Sequence, residues 1–267
     1  MSQENYLIKS NASAKNRKPL QDKVAIVTGS TYGIGFAIAR RLAQDGAHVL
    51  LCSRKTENVD KAVQQLKEEG LSISGIPCHV GNEKDREKLV AMALVTYGKI
   101  DILICNAAVN PFVGPLFETT EEVWKKVFHV NVISTFLLIK LAVPHIQKQG
   151  SGSIIICSSV AGYLPQPYIG PYSIAKTSVH GLTNMLAQAL RFMNIRVNSL
   201  VLGLINTSFS KVILKTPEIE SKLIPLGIHR LGEPEECAGI ASFLCSEDAS
   251  YINGENIGVT GGMLGRL

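Results

Sequence analysis

The sequence lacks the cysteine spacings that mark a disulfide framework or a zinc site. Its six cysteines stand at positions 52, 78, 105, 157, 237 and 245, and none is paired as C-x-x-C. Four of them lie in or beside apolar runs, where cysteine usually behaves as a small hydrophobic residue. The pattern favours a reducing compartment, and we expect no metal site.

Long apolar runs and a secretory signal are also missing. No stretch reaches the roughly 18 apolar residues that a membrane span needs, so we expect no membrane span. The polar residues 1–19 lack the charged start and apolar centre of a secretory signal, and we interpret them as a flexible leader. A mitochondrial role for this leader has little support, because Glu4 is acidic and arginine is scarce there.

Charge of one sign is in small excess, with 27 basic and 22 acidic residues and a formal net charge of +5. Several of the basic residues fall in the leader, so we expect no nucleic-acid partner. The remaining local charge suits an anionic, phosphate-bearing cofactor. With 267 residues, of which 46% are hydrophobic, the chain can bury a core without disulfides or metals.

After residue 19, short apolar runs alternate with amphipathic segments. Strands are predicted over 24–28, 47–52, 73–79, 100–105, 153–157, 196–201 and 256–260. Helices are predicted over 36–44, 56–69, 83–96, 120–144, 172–192 and 234–244. This alternation predicts a single α/β domain over 20–267: a Rossmann-type, doubly wound parallel sheet of about seven strands with helices on both faces. Residues 204–230 have weak periodicity and are predicted to form a flap.

A glycine-rich turn separates the first strand from the first helix and reads T-G-S-T-Y-G-I-G over 28–35. Glycine allows the sharp turn and lets a pyrophosphate approach the helix N-terminus, where free N–H groups favour anions. The spacing differs from the common G-x-G-x-x-G, and glycine also closes ordinary tight corners, so a purely structural turn remains the alternative. The predicted cofactor contacts here are Gly29, Ser30, Thr31, Gly33, Ile34 and Gly35.

The end of the second strand indicates which dinucleotide fits. It reads Ser53-Arg54-Lys55, with no acidic residue before Glu57. An acidic residue there holds the ribose 2′-hydroxyl of NAD, whereas an arginine accommodates the 2′-phosphate of NADP. The segment therefore predicts NADP(H) with Ser53, Arg54 and Lys55 as cofactor contacts, and an ordinary solvated arginine is the alternative.

Four polar residues form a candidate catalytic set. Tyr172 and Lys176 are four residues apart at the start of a helix, hence on one face, and a nearby ammonium is expected to lower the phenol pKa. Ser159 follows a buried strand, where its hydroxyl can hydrogen-bond a substrate oxygen. Asn131 lies among apolar neighbours and needs partners if it is buried. A surface Tyr–Lys pair and a structural core asparagine are the alternatives.

In order and spacing, these motifs together with Asn106-Ala107-Ala108 resemble the short-chain dehydrogenase/reductase family. The resemblance spans about residues 20–264. Further runs, such as 35–43, 78–81 and 231–251, are similar to the animal carbonyl reductases of the dehydrogenase/reductase member 2 and member 4 type. The resemblance implies NADPH-dependent reduction of hydrophobic or aromatic ketones, α-dicarbonyls or retinal-like aldehydes, or oxidation of the matching alcohols.

The resemblance also implies a role for each site residue. Tyr172 would transfer the proton, Ser159 would orient the carbonyl, Lys176 would hold the nicotinamide ribose and tune Tyr172, and Asn131 would position a water in a proton relay. The remaining implied contacts are His79 and Val80 beside the adenine, Asn106 and Ala107 beneath the cofactor, and Thr207 at the carboxamide.

Four positions depart from the common family pattern: His79 replaces an aspartate, Cys105 an asparagine, Ala108 a glycine, and Leu202 a proline that stiffens the following loop. A competing hypothesis is therefore an NADP-binding homologue with weakened catalysis that acts as a regulatory or interaction protein. A nucleoside-triphosphatase is excluded by the lack of a G-K-[ST] phosphate loop.

The sequence gives less detail about the substrate, the oligomeric state and the cellular location. The expected pocket residues are mostly aromatic or apolar: Tyr163, Leu164, Tyr168, Ile169, Phe209, Val212 and Leu214. Family members usually form homotetramers through the two long helices, and we expect the same here. The C-terminal Gly265-Arg266-Leu267 resembles a weakened S-K-L peroxisomal signal, so a cytoplasmic or peroxisomal location is predicted.

Overall fold

Seven parallel strands form one sheet in the computed structural model, which describes residues 18–213, 228 and 230–263. The sheet order is β3-β2-β1-β4-β5-β6-β7, which confirms the predicted fold class. Strand order reverses between β1 and β4, the place where such sheets bind ligands. The strands are β1 (Val24–Thr28), β2 (His48–Ser53), β3 (Ile73–Pro77), β4 (Ile102–Cys105), β5 (Gly152–Ser159), β6 (Ile195–Leu202) and β7 (Asn256–Val259).

Eight α-helices within the described residues connect and cover these strands. They are α1 (Gly33–Gln44), α2 (Thr56–Glu68), α3 (Glu83–Tyr97), α4 (Glu121–Phe128), α5 (Ser134–Gln147), α6 (Gly170–Leu190), α7 (Ser208–Ile213) and α8 (Pro234–Cys245). The sequence sets several of their ends. Asn82 caps α3 by accepting a hydrogen bond from Asp85 N at 3.1 Å, and Gly98 ends it in the left-handed conformation.

The core consists of two apolar layers, one on each face of the sheet. Val27 and its same-face neighbours pack with α1, α2 and α8, whereas Ile26 packs with α3, α5 and α6 on the other face. All five residues of β1 are buried. Such continuous apolar runs are typical of a parallel strand covered on both sides.

Element boundaries differ from the predictions where a strand approaches the site. β3 ends at Pro77 rather than at residue 79, on an edge strand where proline is tolerated, so Cys78 and His79 leave the strand. β5 continues two residues beyond the predicted end at 157 and reaches Ser159. The single helix predicted over 120–144 is divided into α4 and α5 by a π-helical turn, His129–Ile133.

One continuous helical stretch among the described residues, Glu121–Gln147, is long and apolar enough to cross a membrane, with a mean hydropathy of 1.7. The sequence contains no unbroken apolar run here, because polar residues such as Asn131 and Ser134 interrupt the stretch, so no membrane span was predicted. Core helices of globular proteins pass the same test, and α5 buries Leu138 and Ile146 against the sheet. The finding is therefore weak evidence for a membrane span.

Some predicted features fall outside the described residues. These are most of the leader, the flap between 214 and 227, and the C-terminal tripeptide 265–267. The predicted domain boundaries and location stay predictions. Within the described part, Leu20 is fully buried, and the flap region begins with the short helix α7.

Candidate active site

A cavity of about 650 Å³ opens at the carboxyl ends of the central strands. Fourteen of the eighteen predicted site residues line it: Gly29, Gly33, Ile34, Gly35, Ser53, Arg54, His79, Val80, Asn106, Ala107, Ser159, Tyr172, Lys176 and Thr207. Ser30, Thr31, Lys55 and Asn131 do not line it. The topology thus brings the glycine turn and the candidate catalytic side chains to one place.

The glycine turn needs its glycines for two physical reasons. Gly29 and Gly33 have φ values of +61° and +60°, a region that L side chains rarely adopt. A Cβ on Gly35 would collide with the Asn106 side chain and with the carbonyl of Gly29. α1 begins at Gly33 with no side-chain cap and no acidic residue in its first turn, so its first N–H groups are available to an anion.

Asn106 holds this turn against the loop that follows β4. Its Nδ2 donates to the carbonyls of Thr28 at 3.1 Å and Gly29 at 2.8 Å. The backbone N–H groups of Asn106 and Ala107 donate to Thr28 Oγ1 at 3.0 and 3.1 Å. The position of the turn is therefore set by a loop that is distant in sequence.

Two residues of the turn have other surroundings than predicted. Ser30 is fully buried, its Oγ donates to Val27 O at 2.6 Å, and its backbone N–H donates to Cys52 O at 3.1 Å. It joins β1 to β2 and does not reach the cavity. Thr31 Oγ1 is buried without a hydrogen-bond partner among the described residues, the kind of atom that a bound phosphate can satisfy.

The end of β2 presents a free cation to the cavity. Ser53 is the last residue of β2, and the exposed Arg54 lines the cavity beside it. Arg54 makes no hydrogen bond or ion pair with another described residue, so its guanidinium is available for a phosphate. Lys55 directly precedes α2 and does not line the cavity.

His79 and Val80 lie just past the end of β3 and line the same part of the cavity. The His79 backbone N–H donates to Asp85 Oδ2 at 2.9 Å, and its Nδ1 accepts from Gly81 N at 3.0 Å. His129, which sequence reasoning missed, also lines the cavity, and its Nε2 donates to Gly81 O at 2.9 Å. His129 directly follows the amphipathic α4, and the sequence gives no signal that separates it from the ordinary solvated face of that helix.

Tyr172, Lys176 and Ser159 meet at the centre of the cavity. The Tyr172 side chain is buried beside Ser159, which ends β5 and whose hydroxyl acts to lower the pKa of the phenol. Lys176 Nζ lies 5.5 Å from the centre of the Tyr172 ring and donates to Cys157 O at 2.7 Å. The phenol, the serine hydroxyl and the ammonium are thus all within reach of one bound molecule.

The electrostatics of this set differ from the sequence expectation. Burial raises the pKa of Tyr172 above its usual value, and the hydrogen bond with Ser159 only partly opposes this. Burial also lowers the pKa of Lys176 to about 8. The expectation that the ammonium lowers the pKa of Tyr172 is wrong for this chain on its own, because desolvation dominates. At neutral pH the phenol keeps its proton, as a proton donor must.

Asn131 is buried in the π-helical turn and is satisfied by the backbone. Its Oδ1 accepts from Val109 N at 2.8 Å, and its Nδ2 donates to Val109 O at 2.9 Å. The side chain therefore fixes a residue that lines the cavity, although it does not line the cavity itself. This arrangement matches the structural alternative, and the water-positioning role stays a prediction.

The substrate side of the cavity is largely apolar. Leu164, Ile169 and Phe209 line it, and the ring of Phe209 lies 5.5 Å from that of Tyr172. Tyr163 and Tyr168 were predicted to line it and do not. The Val212 side chain and Leu214 lie outside the described residues.

Leu202 occupies the position where the family commonly has proline, and the chain is fixed there by other contacts. Leu202 ends β6 and lines the cavity, and the next backbone N–H, that of Gly203, donates to Val259 O at 3.0 Å. The start of this loop is therefore fixed by β7.

The residues present fit a nicotinamide dinucleotide. The uncapped start of α1 and the unpaired Arg54 line the cavity and suit phosphate groups, the unsatisfied Thr31 hydroxyl lies in the same turn, and the cavity extends to Tyr172. Among the described residues, no group of three or more His, Cys, Asp or Glu side chains is placed to hold a metal ion.

Comparisons with known proteins agree with this geometry. The protein family described as enoyl-(acyl carrier protein) reductase matches residues 29–264. The chain is 58% identical over 252 residues to dehydrogenase/reductase SDR family member 4 of Bos taurus, covering 94% of this chain and 90% of the relative. It is 51% identical over 243 residues to the human dehydrogenase/reductase SDR family member 2, mitochondrial, covering 91% and 86%.

A solved structure of a short-chain type dehydrogenase/reductase from Mycobacterium ulcerans has a TM-score of 0.87 at 30% identity, covering 91% of this chain and 90% of that one. Sequence, sheet order and site geometry agree. The chain belongs to the short-chain dehydrogenase/reductase family of oxidoreductases, which use nicotinamide cofactors.

Proposed function

We propose that this chain is an NADPH-dependent reductase of hydrophobic carbonyl compounds, able to oxidise the matching alcohols in reverse. The observation that carries the proposal is the meeting of Tyr172, Ser159 and Lys176 in the cavity that also contains the glycine turn. No other arrangement on the described surface combines a buried proton donor with a site for a dinucleotide.

The chemistry divides between the cofactor and the chain. When bound, the nicotinamide supplies the hydride. Tyr172 donates its phenolic proton to the substrate oxygen, and Ser159 donates a hydrogen bond that stabilises the charge developing there. A phenol already holds its proton at neutral pH, and burial raises the pKa of Tyr172 further, so the proton is available for reduction. The ammonium of Lys176 stabilises the phenolate that is left.

The walls of the cavity support an apolar substrate. Leu164, Ile169 and Phe209 present hydrocarbon surface beside Tyr172. An aromatic ketone, an α-dicarbonyl or a retinal-like aldehyde would bury its apolar part there and leave its carbonyl at Ser159.

Turnover is tested by following NADPH absorbance with an aromatic α-dicarbonyl and an aromatic ketone. Tyr172→Phe is expected to lower kcat by at least about 100-fold, because the proton donor is lost. Its Kd for NADPH, measured by fluorescence, should change little. The matched control is Tyr251→Phe, since Tyr251 is fully exposed and outside the cavity lining. If the native chain binds NADPH and reduces neither probe, the weakened homologue becomes the better description.

The choice of NADP(H) is tested with Arg54→Asp. We expect the Kd for NADPH to rise at least about tenfold, because a charge-assisted contact with the 2′-phosphate is replaced by repulsion. The Kd for NADH should rise much less. Lys55→Asp is the control for long-range charge effects, because Lys55 does not line the cavity. An Arg54→Asp variant that keeps the native preference for NADPH would show that the assignment is wrong.

A further inference from the structure

His180 is a buried histidine that the chemistry above does not use. It lies one helical turn beyond Lys176 and two beyond Tyr172, so all three side chains share one face of α6. Its Nε2 lies 2.8 Å from Oγ of Ser158, which is buried as well. Ser158 Oγ also lies 3.4 Å from Lys176 O, a longer and weaker contact.

The shared face of α6 contacts three successive residues at the end of β5. Lys176 contacts Cys157, His180 contacts Ser158, and Tyr172 contacts Ser159. His180 therefore holds Ser158, which lies between Cys157, the partner of Lys176, and Ser159, the neighbour of Tyr172. A shift of Ser158 would move Ser159 with it, because the two are adjacent in an extended strand.

The imidazole also supports the turn that follows Ser159. A Cβ on Gly162 would lie 2.6 Å from His180 Cε1, so the ring is packed directly against the turn Val160–Gly162. The ring of Tyr163 packs against that of His180 with a centroid distance of 4.2 Å and an angle of 32° between the ring planes. Ser159 Oγ itself accepts from Ala161 N in this turn at 3.2 Å. The orientation of the Ser159 hydroxyl thus depends on a turn that rests on His180.

His180 is neutral here. Burial lowers its pKa to about 4, and the charge of Lys176 adds to the effect. One hydrogen bond joins Nε2 to Ser158 Oγ, and the tautomer of the ring sets which of the two atoms donates. A leucine at this position would fill similar space but would leave a buried hydroxyl with only its weaker contact.

We propose that His180 is a positioning residue, which sets the Ser159 hydroxyl against Tyr172 through Ser158 and the turn Val160–Gly162. The proposal rests on the carbonyl reduction proposed above, since it concerns the same site. It assigns to His180 no contact with substrate or cofactor.

The test compares His180→Leu with His180→Gln, whose side-chain amide can replace Nε2 either as donor or as acceptor. For His180→Leu we expect kcat to fall about tenfold, the value of one buried hydrogen bond, while the Kd for NADPH stays within about twofold. Hydrogen exchange in the peptide 157–164 should become faster. His180→Gln should recover kcat to within about threefold of native and restore the slow exchange.

Two further variants separate positioning from general destabilisation. Ser158→Ala should lower kcat as much as His180→Leu does. The double variant Ser158→Ala/His180→Leu should have a kcat only slightly below that of either single variant, because both substitutions remove the same hydrogen bond. His145→Leu, on α5 and outside the cavity lining, is the matched control and should leave kcat and exchange unchanged.

The proposal is overturned if His180→Leu keeps native kcat and native exchange in 157–164, or if His180→Gln is as impaired as His180→Leu. Exchange is measured without turnover. A chain that reduces no carbonyl would thus count against the proposed function, while the exchange data would still decide whether His180 orders the segment. Should His180→Leu not fold, Ser158→Ala and His180→Gln decide the same question.

Discussion

Lys176 is a buried ammonium with one hydrogen bond, to Cys157 O. Burial lowers its pKa from 10.5 to about 8, so the folded chain releases this proton near pH 8 while the unfolded chain holds it to about pH 10.5. Between these values the unfolded state binds more protons, and this group adds stability as pH rises. Below pH 8 the cost of burying the charge is fully present.

We therefore expect the native chain to gain stability relative to Lys176→Met between pH 8 and 10.5, by up to about 3 kcal/mol. Denaturant unfolding of both proteins across pH 6 to 10.5 measures the difference, in which most other titrating groups cancel. The difference should be flat below pH 8. A difference that stays flat throughout would mean that Lys176 is not desolvated.

The sequence predicts which residues belong to the candidate site where the chemistry requires a fixed spacing between them. The four-residue step from Tyr172 to Lys176 puts both on one helix face in any α-helix, and Ser159 followed a recognisable buried strand. The roles of Ser30 and Tyr163 were not predictable in this way. Ser30 is hydrogen-bonded to Cys52 on the neighbouring strand and Tyr163 packs against His180, and neither partner is visible in a local pattern.

Among the elements, α1 depends on the absence of a side chain at Gly35. A Cβ there would meet the Asn106 side chain and the carbonyl of Gly29, whereas one on Gly181 in α6 meets nothing within 4 Å. Both glycines are helical, so alanine improves helix propensity at both by about 1 kcal/mol. The difference between the two substitutions therefore isolates the crowding at the turn.

We expect Gly181→Ala to raise the free energy of unfolding slightly and to leave NADPH binding unchanged. Gly35→Ala should lower stability by about 1–3 kcal/mol and weaken NADPH binding at least tenfold, because the turn must move. Denaturant melts and fluorescence titrations measure both quantities. Equal NADPH affinity in the two variants would contradict the placement of the phosphates at this turn.

Boundaries of elements were predicted less well than their existence. β1 was predicted residue for residue because it is an apolar, largely β-branched run that ends in Thr28. The division between α4 and α5 was not predicted, since both halves have helical periodicity. The π-helical turn that separates them accompanies the bonds of Asn131 to Val109, a contact that forms only in the folded chain.

At the scale of the whole molecule, exposed apolar side chains on α5 and α6 support the homotetramer expected from the family. Phe136 is 38% exposed on α5, and Ile174 and Met185 are 42% and 55% exposed on α6. An isolated chain would leave these side chains in water. We propose that these helices form the contact between copies.

Light scattering after size exclusion should give about four times the 28.9 kDa of one chain. Phe136→Lys should give a smaller species with native circular dichroism, because a charge is buried in the contact. Phe192→Lys, at a position 87% exposed just after α6, should keep the native mass. A native chain that is monomeric at micromolar concentration would contradict the proposal.

The sequence by itself determined the alternation of strands and helices, the dinucleotide turn and the catalytic spacing, because these depend on local periodicity and on residue types at short intervals. Only the tertiary structure decided which polar groups are satisfied and which are free. Asn131 and Ser30 are hydrogen-bonded to backbone that is distant in sequence, whereas Thr31 and Arg54 have no partner among the described residues. His180 is hydrogen-bonded to Ser158, next to Ser159. Burial depends on the whole fold, and burial is what sets the pKa of Tyr172 and Lys176.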